Sequence, residues 1–335
     1  MKILVVTNIF PTPKQPDSGT YVAEQIDSLK SSVKINVVFK PRKSRLGFLD
    51  FFLRTLWAML STSYDIVHAH YGFHSALLPA LWRRKPLVVT FHGSDALIEP
   101  ARNKIYGLLQ KQVVARASHL VAVSKQIQAR LINELGAEPE KVSMIPCGID
   151  TQLFRFRSRE EARNQLGLKQ NDRVALFIGR LTHAKGVDLI EDASRHLNYV
   201  DFHFIGDGPL RWKAPNCFFE GAIEHAEIPY WLNAADVLLL PSRSEGTPAA
   251  VLESLASETP VICSAVGACS ELVLNGTTGL LIPVDDAHAL IRAIQQVFSD
   301  VKFDTRRGRE MVVQNYDLKI ISMKLLDLYS RIVKK

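Results

Sequence analysis

Runs of consecutive apolar residues punctuate this chain, and the stretches between them carry helical patterns. Ile3–Thr7, Ile35–Phe39, Ile66–Ala69, Leu87–Phe91, Leu120–Val123 and Val142–Ile145 form a first series. Val174–Ile178, Phe202–Ile205, Val237–Leu240, Val261–Cys263 and Leu280–Ile282 form a second. A strand open to water on one face alternates apolar and polar residues, whereas one covered on both faces reads as an unbroken apolar run. Both series therefore predict parallel sheets with helices on either side. A polar, arginine-rich stretch from Thr151 to Gln170 separates them and predicts a crossover. The expected fold class is α/β, with two Rossmann-like parallel-sheet domains over residues 1–152 and 153–315. The closing segment, 316–335, carries a helical stripe at Ile320, Ile321, Leu325, Leu328 and Ile332.

Composition adds compartment and charge. With 335 residues, 47% of them hydrophobic, the chain can fill two ordinary cores. Cys147, Cys217, Cys263 and Cys269 show neither C-x-x-C spacing nor a partnering histidine cluster. They read as buried thiols in a reducing compartment, and no metal site is expected. The opening Met1-Lys-Ile-Leu-Val-Val-Thr turns polar too soon for a signal peptide, and no apolar run is long enough to span a bilayer. A cytoplasmic placement follows. Residues 1–152 hold 19 Lys/Arg against 11 Asp/Glu, and the rest hold 22 against 23. The whole positive surplus lies in the first half, with clusters at Lys40, Arg42, Lys43, Arg45 and at Arg83, Arg84, Lys85. Such asymmetry points to an anionic partner. No aromatic-interleaved basic motif accompanies it, which disfavours nucleic acid and leaves an anionic membrane surface or a phosphate-bearing acceptor.

The densest chemistry lies between Ser244 and Glu253. The run Asp236-Val-Leu-Leu-Leu ends in Pro241-Ser242, a Gly-Pro turn follows, and a helix-forming segment from Pro248 to Ser257 carries a second glutamate. The first turn of such a helix offers unpaired N–H groups and a positive dipole end, suited to a phosphate or a sugar hydroxyl. Glu245 at the loop mouth and Glu253 on the helix could accept hydrogen bonds from a sugar at one end of a ligand and a ribose at the other. Upstream, Gly179-Arg-Leu-Thr-His-Ala-Lys-Gly186 follows the first strand of the second series. Arg180 could grip a diphosphate bidentately and Lys185 could add a point charge, although alone the two would pass as solvated loop cations. In the first half, Thr90-Phe-His-Gly-Ser-Asp95 follows a buried strand. Ligands of α/β sheets bind beyond the carboxyl ends of strands, which singles out His92. Gly19, in Asp17-Ser-Gly-Thr20, opens a helix after the first strand.

Two glutamates with seven residues between them, the Gly-Arg-Leu-x-x-x-Lys-Gly loop and the His-Gly-Ser-Asp turn together resemble the retaining GT-B glycosyltransferases of family 4, also called glycosyl transferase group 1. These motifs span most of the chain. The resemblance implies two Rossmann-like domains facing a cleft, the first on the acceptor side and the second binding a nucleotide sugar. The last helix would cross back onto the first domain. Glu245 would orient the donor sugar, Glu253 would accept from the ribose, Arg180 and Lys185 would hold the pyrophosphate, and His92 would lie beside the donor sugar. Further donor contacts are implied at Gly19, Gly208, Ile223, Gly246, Thr247, Pro248, Val251 and Leu252. Gly206-Asp-Gly-Pro209 and Phe219-Glu-Gly-Ala-Ile223 would border the nucleobase. The chain departs from the family pattern at Cys147, where asparagine is usual, at Gly267-Ala268, where glycines pair, and at Glu258, where glycine is customary.

No Asp-x-Asp motif occurs, so a metal-bound diphosphate has no obvious ligands. Charge on the leaving group would fall to Arg180, Lys185 and helix-terminal N–H groups. The expected reaction moves a sugar from a nucleotide-diphosphate donor to an acceptor hydroxyl with retention and without a cofactor. UDP is the favoured nucleotide and GDP the second; the acceptor is expected to be a glycan or lipid-linked. Two alternatives stand beside this. A sugar-nucleotide epimerase would need several acid/base side chains around the sugar, and a catalytically silent GT-B subunit would only bind a partner.

The segment Leu46 to Leu60 has apolar residues at Phe48, Phe52, Leu56 and Leu60, with Leu49, Leu53 and Trp57 beside them. This stripe predicts a helix packed on the first sheet. Its width and the basic residues Lys40 to Arg45 before it also suit peripheral attachment to an anionic membrane.

Overall fold

The structure, a computed structural model, describes residues 1–12, 18–40, 46–82, 84–98, 104–299 and 301–334. It forms two units, Met1–Gly148 with Leu318–Lys335, and Ile149–Asp317. The first holds β1 (Lys2–Thr7), β2 (Lys34–Phe39), β3 (Ile66–His70), β4 (Leu87–Phe91), β5 (His119–Ala122) and β6 (Val142–Met144), in the order β2-β1-β3-β4-β5-β6. The second holds β7 (Val174–Ile178), β8 (Asp201–Ile205), β9 (Cys217–Gly221), β10 (Val237–Leu240), β11 (Val261–Ser264) and β12 (Gly279–Ile282), in the order β12-β11-β10-β7-β8-β9. All strands within both sheets pair in parallel. Strands β3, β4, β10 and β11 are buried along their whole length, which accounts for their mainly apolar sequences; His68 and His70 in β3, Thr90 in β4 and Ser264 in β11 are buried polar exceptions.

Each sheet reverses direction of growth once. The first does so between β1 and β3, the second between β7 and β10. At such a reversal the two following connections leave on opposite faces, so a crevice opens beyond the carboxyl ends of the strands.

Strand β9 is absent from the apolar runs in the sequence. It lies at the sheet edge, none of its residues is fully buried, and it slips register beside Phe204 and Ile205. The polar crossover contains a helix, Arg159–Leu166, capped by the Ser158 hydroxyl. Its Arg163 is buried, bonding the carbonyls of Ala234, Lys169 and Gln170 and, at 3.1 Å, the Asp236 carboxylate. One arginine of that run is thus a core cross-brace.

In the first unit, helices Thr20–Leu29 and Leu318–Val333 cover one face of the sheet. The last helix buries Ile321, Leu325, Leu328 and Tyr329 against Ile3, Val5, Val88 and Val121. The other face is covered by Leu46–Ser61, Leu77–Trp82, Lys104–Arg116 and Lys125–Asn133. Leu46–Ser61 packs through Phe51, Thr55, Ala58 and Met59, a face turned from the Phe52–Leu56–Leu60 stripe. Leu49, Phe52, Leu53, Trp57 and Leu60 point outward. Of the basic residues before it, Lys40 sets its Nζ 3.7 Å from the Phe48 ring centre, while Arg42, Lys43 and Arg45 lie outside the described residues, as does Asp17.

Candidate active site

The reversal in the second sheet sets the ends of β7 and β10 side by side, and the loops carrying Lys185 and Glu245 begin there. Lys185 Nζ lies 2.7 Å from Glu245 Oε1, with the glutamate side chain only 8% exposed. Arg243 ties the same two loops together. It holds both Asp188 oxygens, at 2.8 and 2.7 Å, together with Asp285 at 2.5 Å and the His183 carbonyl. Burial by itself would raise the Asp188 carboxyl, but the Arg243 hydrogen bonds and charge, helped by His183, outweigh it and hold it below the usual carboxylate value. Arg180 is exposed and enters no ion pair among the described residues, so its guanidinium is open to an anion.

The Gly206–Pro209 turn joins this rim. Leu181 N–H donates to the Asp207 carbonyl at 3.0 Å, and Leu210 N–H to the Leu181 carbonyl at 3.2 Å. Gly208 fits closely, since a Cβ there would stand 2.3 Å from the Leu181 oxygen. Ile223 packs partly buried against the core after β9. Glu253, on the helix Ala249–Ala256, is almost buried and meets His225 Nε2 at 3.4 Å.

The two other departures from pattern have distinct physical outcomes. Gly267 keeps φ at +55°, and a Cβ there would collide with the Glu245 carbonyl oxygen at 2.2 Å. Ala268, beside it, sits at φ −79° where a side chain costs nothing, and its N–H supports Gly246 O at 2.9 Å. Glu258 instead adopts φ +60°, a left-handed conformation that strains a side chain.

In the first unit His92 follows β4 and is enclosed by Tyr21, Tyr71 and His70, with ring centres 5.1 to 5.2 Å away. Its Nε2 lies 3.0 Å from His70 Nδ1, and its Nδ1 lies 3.8 Å from Cys147 Sγ. The residue that departs from the usual asparagine thus touches the candidate histidine. Burial lowers His70 to about 3, and burial followed by the charge of His70 lowers His92 well below the ordinary imidazole value. Burial, with Glu24, pushes the Cys147 thiol up to about 12. With the thiol protonated, donation from Sγ–H to His92 Nδ1 is compatible with the tautomer whose Nε2–H donates to His70 Nδ1. The buried Asp95 carboxylate fixes the loop by accepting from the N–H groups of Gly72, His92 and Gly93. Burial raises that carboxyl in spite of the three donors. Gly19 caps the helix Thr20–Leu29 at φ +74°, beyond the carboxyl end of β1.

A family model described as Glycosyltransferase Family 4 matches residues 6–153, and one described as Glycosyl transferases group 1 matches residues 172–300. TuaC of Bacillus subtilis (strain 168), whose name places it in teichuronic acid biosynthesis, is 30% identical over 88% of this chain and 88% of that protein. The chain belongs to glycosyltransferase family 4.

A D-inositol 3-phosphate glycosyltransferase of Catenulispora acidiphila is 31% identical over 71% of this chain, which spans 64% of that relative's length. Among solved structures, sucrose-phosphate synthase from Thermosynechococcus elongatus matches with a TM-score of 0.84 at 21% identity, covering 98% of each chain. HepE of Anabaena, solved with UDP-glucose, matches at 0.81 and 19% identity over 99% of this chain and all of that one. These likenesses show the GT-B fold.

Within that frame, one group of expected contacts is refined. Val251 and Leu252 are wholly buried, and their N–H groups close onto the Pro248 carbonyl at 3.1 and 3.3 Å. Among the described residues, the first-turn donors left open are those of Ala249 and Ala250, next to Gly246, Thr247 and Pro248. Sequence reasoning also missed Arg243, His70 and Tyr71. Tyr71 carries a left-handed φ of +80° just past β3, and its hydroxyl meets that of Tyr21 at 2.6 Å. The one available signal was position. His70 and Tyr71 end a strand at the reversal of the first sheet, where side chains tend to serve ligands rather than the core.

Proposed function

We propose that this glycosyltransferase is retaining, takes a UDP-sugar as donor with GDP-sugars second, and glycosylates a glycan or lipid-linked acceptor at the inner face of a membrane. The observation that carries the donor site is the meeting of the β7 and β10 loops through Lys185 and Glu245 at the sheet reversal. The diphosphate would be met by Arg180, Lys185 and the free N–H groups of Ala249 and Ala250. Glu253 accepts from the ribose and Glu245 orients the sugar; within the first unit, His92 is the proposed catalytic group. UDP is preferred because structural neighbours hold it, HepE with UDP-glucose among them.

In the reaction the bond from the sugar's anomeric carbon to the diphosphate oxygen breaks. The acceptor oxygen bonds to that carbon on the same face, and its proton passes to the departing phosphate oxygen. Leaving-group charge is met by side-chain cations and backbone donors, without a metal. Incubation with a panel of nucleotide sugars tests this. Acceptor-dependent release of UDP supports the transferase, a changed sugar still on its nucleotide would reveal an epimerase, and neither outcome would leave a silent binding subunit.

A further inference from the structure

On the outer face of the first unit, helices Leu46–Ser61, Leu77–Trp82 and Lys104–Arg116 pack side by side. Each has satisfied the core with one side and still presents large apolar residues to solvent. On the first helix Leu49, Leu53, Trp57 and Leu60 share a sector, and Trp57 is 68% exposed. Its neighbours add Leu81 and, at 66% exposure, Ile105. A soluble surface scatters such residues singly, so their concentration on three packed helices marks a surface that something covers.

The polar groups around the patch say what covers it. Lys104–Arg116 carries three basic residues and no acidic one. Beyond the ends of Leu77–Trp82 and Lys104–Arg116, a pocket of about 260 Å³ is lined by Arg84, Lys85, Arg116 and Ser118, with no carboxylate in its lining. None of these three cations forms an ion pair among the described residues. Among the described residues of these three helices the one acid is Asp50, already held by Arg54 at 3.0 Å. A second copy docking through this face would set its cations against their own images, which is unfavourable in a two-fold contact. An anionic bilayer offers phosphates to the cations and acyl chains to the apolar ridge.

We propose that this face docks on an anionic lipid surface, with Leu53, Trp57 and Leu60 entering the acyl boundary and the Arg84–Lys85–Arg116 pocket receiving a lipid phosphate. It deepens the lipid-linked acceptor reading and rests on that reading only for the acceptor; docking itself needs no turnover.

The test uses the full chain with vesicles of phosphatidylcholine alone, and of equal parts phosphatidylcholine and phosphatidylglycerol. Co-sedimentation should occur only with the mixed vesicles and weaken as salt rises. Tryptophan emission should shift to the blue with wild type, and the shift should be lost in Trp57→Phe, which leaves Trp82, Trp212 and Trp231 in place. Arg84→Gln with Lys85→Gln should cut the partition about fivefold per cation removed, from about 1 kcal/mol each. Leu53→Ser with Trp57→Ser should abolish it, while UDP affinity stays at the wild-type value in every variant, because none of these residues belongs to the donor site. Equal binding to neutral vesicles, no binding to either, or variants that bind as wild type would overturn the proposal. So would a dimer in wild type that Leu53→Ser with Trp57→Ser converts to monomer, since the face would then belong to a second copy.

Discussion

Lys185 Nζ lies 2.7 Å from Glu245 Oε1, a contact between residues 60 apart that joins the loop after β7 to the loop after β10. The lysine expected to hold phosphate and the glutamate expected to hold the sugar hold each other in the free protein. On the proposed donor reading, a diphosphate reaching Lys185 would share or take over its ammonium from Glu245. Donor binding and sugar positioning would then be coupled through one ion pair.

Arg180→Ala and Lys185→Ala should each remove about 2–4 kcal/mol of transition-state stabilisation, read as a loss in kcat/KM with the fold intact. Lys185→Ala combined with Glu245→Gln should lose less than the sum of the two single losses, because the pair acts as a unit. Additive losses in steady-state kinetics would show that the two groups act separately.

Three neighbouring histidines make the first unit acid-sensitive. His68, His70 and His92 are all lowered, first by burial, with His70 at about 3. Each is neutral in the fold but takes a proton in the unfolded chain below about pH 6.5. Stability should therefore fall as pH drops from about 6.5 towards the folded values, by about 1.4 kcal/mol per pH unit for each histidine. Urea unfolding followed across this range should show the steep slope, and His70→Gln should flatten it by one histidine's share, about 1.4 kcal/mol per pH unit. An equal slope in the variant would mean that His70 already carries its proton in the native state.

Glu258 is strained at φ +60°, directly after the helix that carries Glu253. Glu258→Gly should relieve about 1 kcal/mol of left-handed strain and raise the Tm of the second unit by about 2–4 °C. Scanning calorimetry measures this. An unchanged or lower Tm would mean that glycine's extra freedom in the unfolded chain cancels the relief.

The strands buried on both faces were legible because apolar residues dominate there: β4, β7 and β10 match the sequence runs residue for residue. Edge strand β9 was not, since its half-wet residues look like a loop. The helix Arg159–Leu166 hid in a run of charge, because the partners of Arg163 are carbonyls that no sequence pattern displays. At the candidate site, Glu245 and Lys185 were singled out by motif spacing. Arg243 was not, although it lies between Ser242 and Ser244, because its targets, Asp188 and Asp285, are reached only through the fold. The same holds for Cys147 against His92: a departure from pattern is visible in sequence, but its contact is not.

The most direct test of the donor site is calorimetric titration of UDP into wild type, Arg180→Ala and Glu253→Gln. Binding to one site per chain is expected in wild type, with GDP weaker. Glu253→Gln should weaken UDP by about ten- to a hundredfold, the loss of a hydrogen bond to a charged acceptor, and Arg180→Ala should weaken it through the diphosphate. UDP affinity unchanged in both variants, or no heat with any nucleoside diphosphate in wild type, would contradict a nucleotide-sugar site at the ends of β7 and β10.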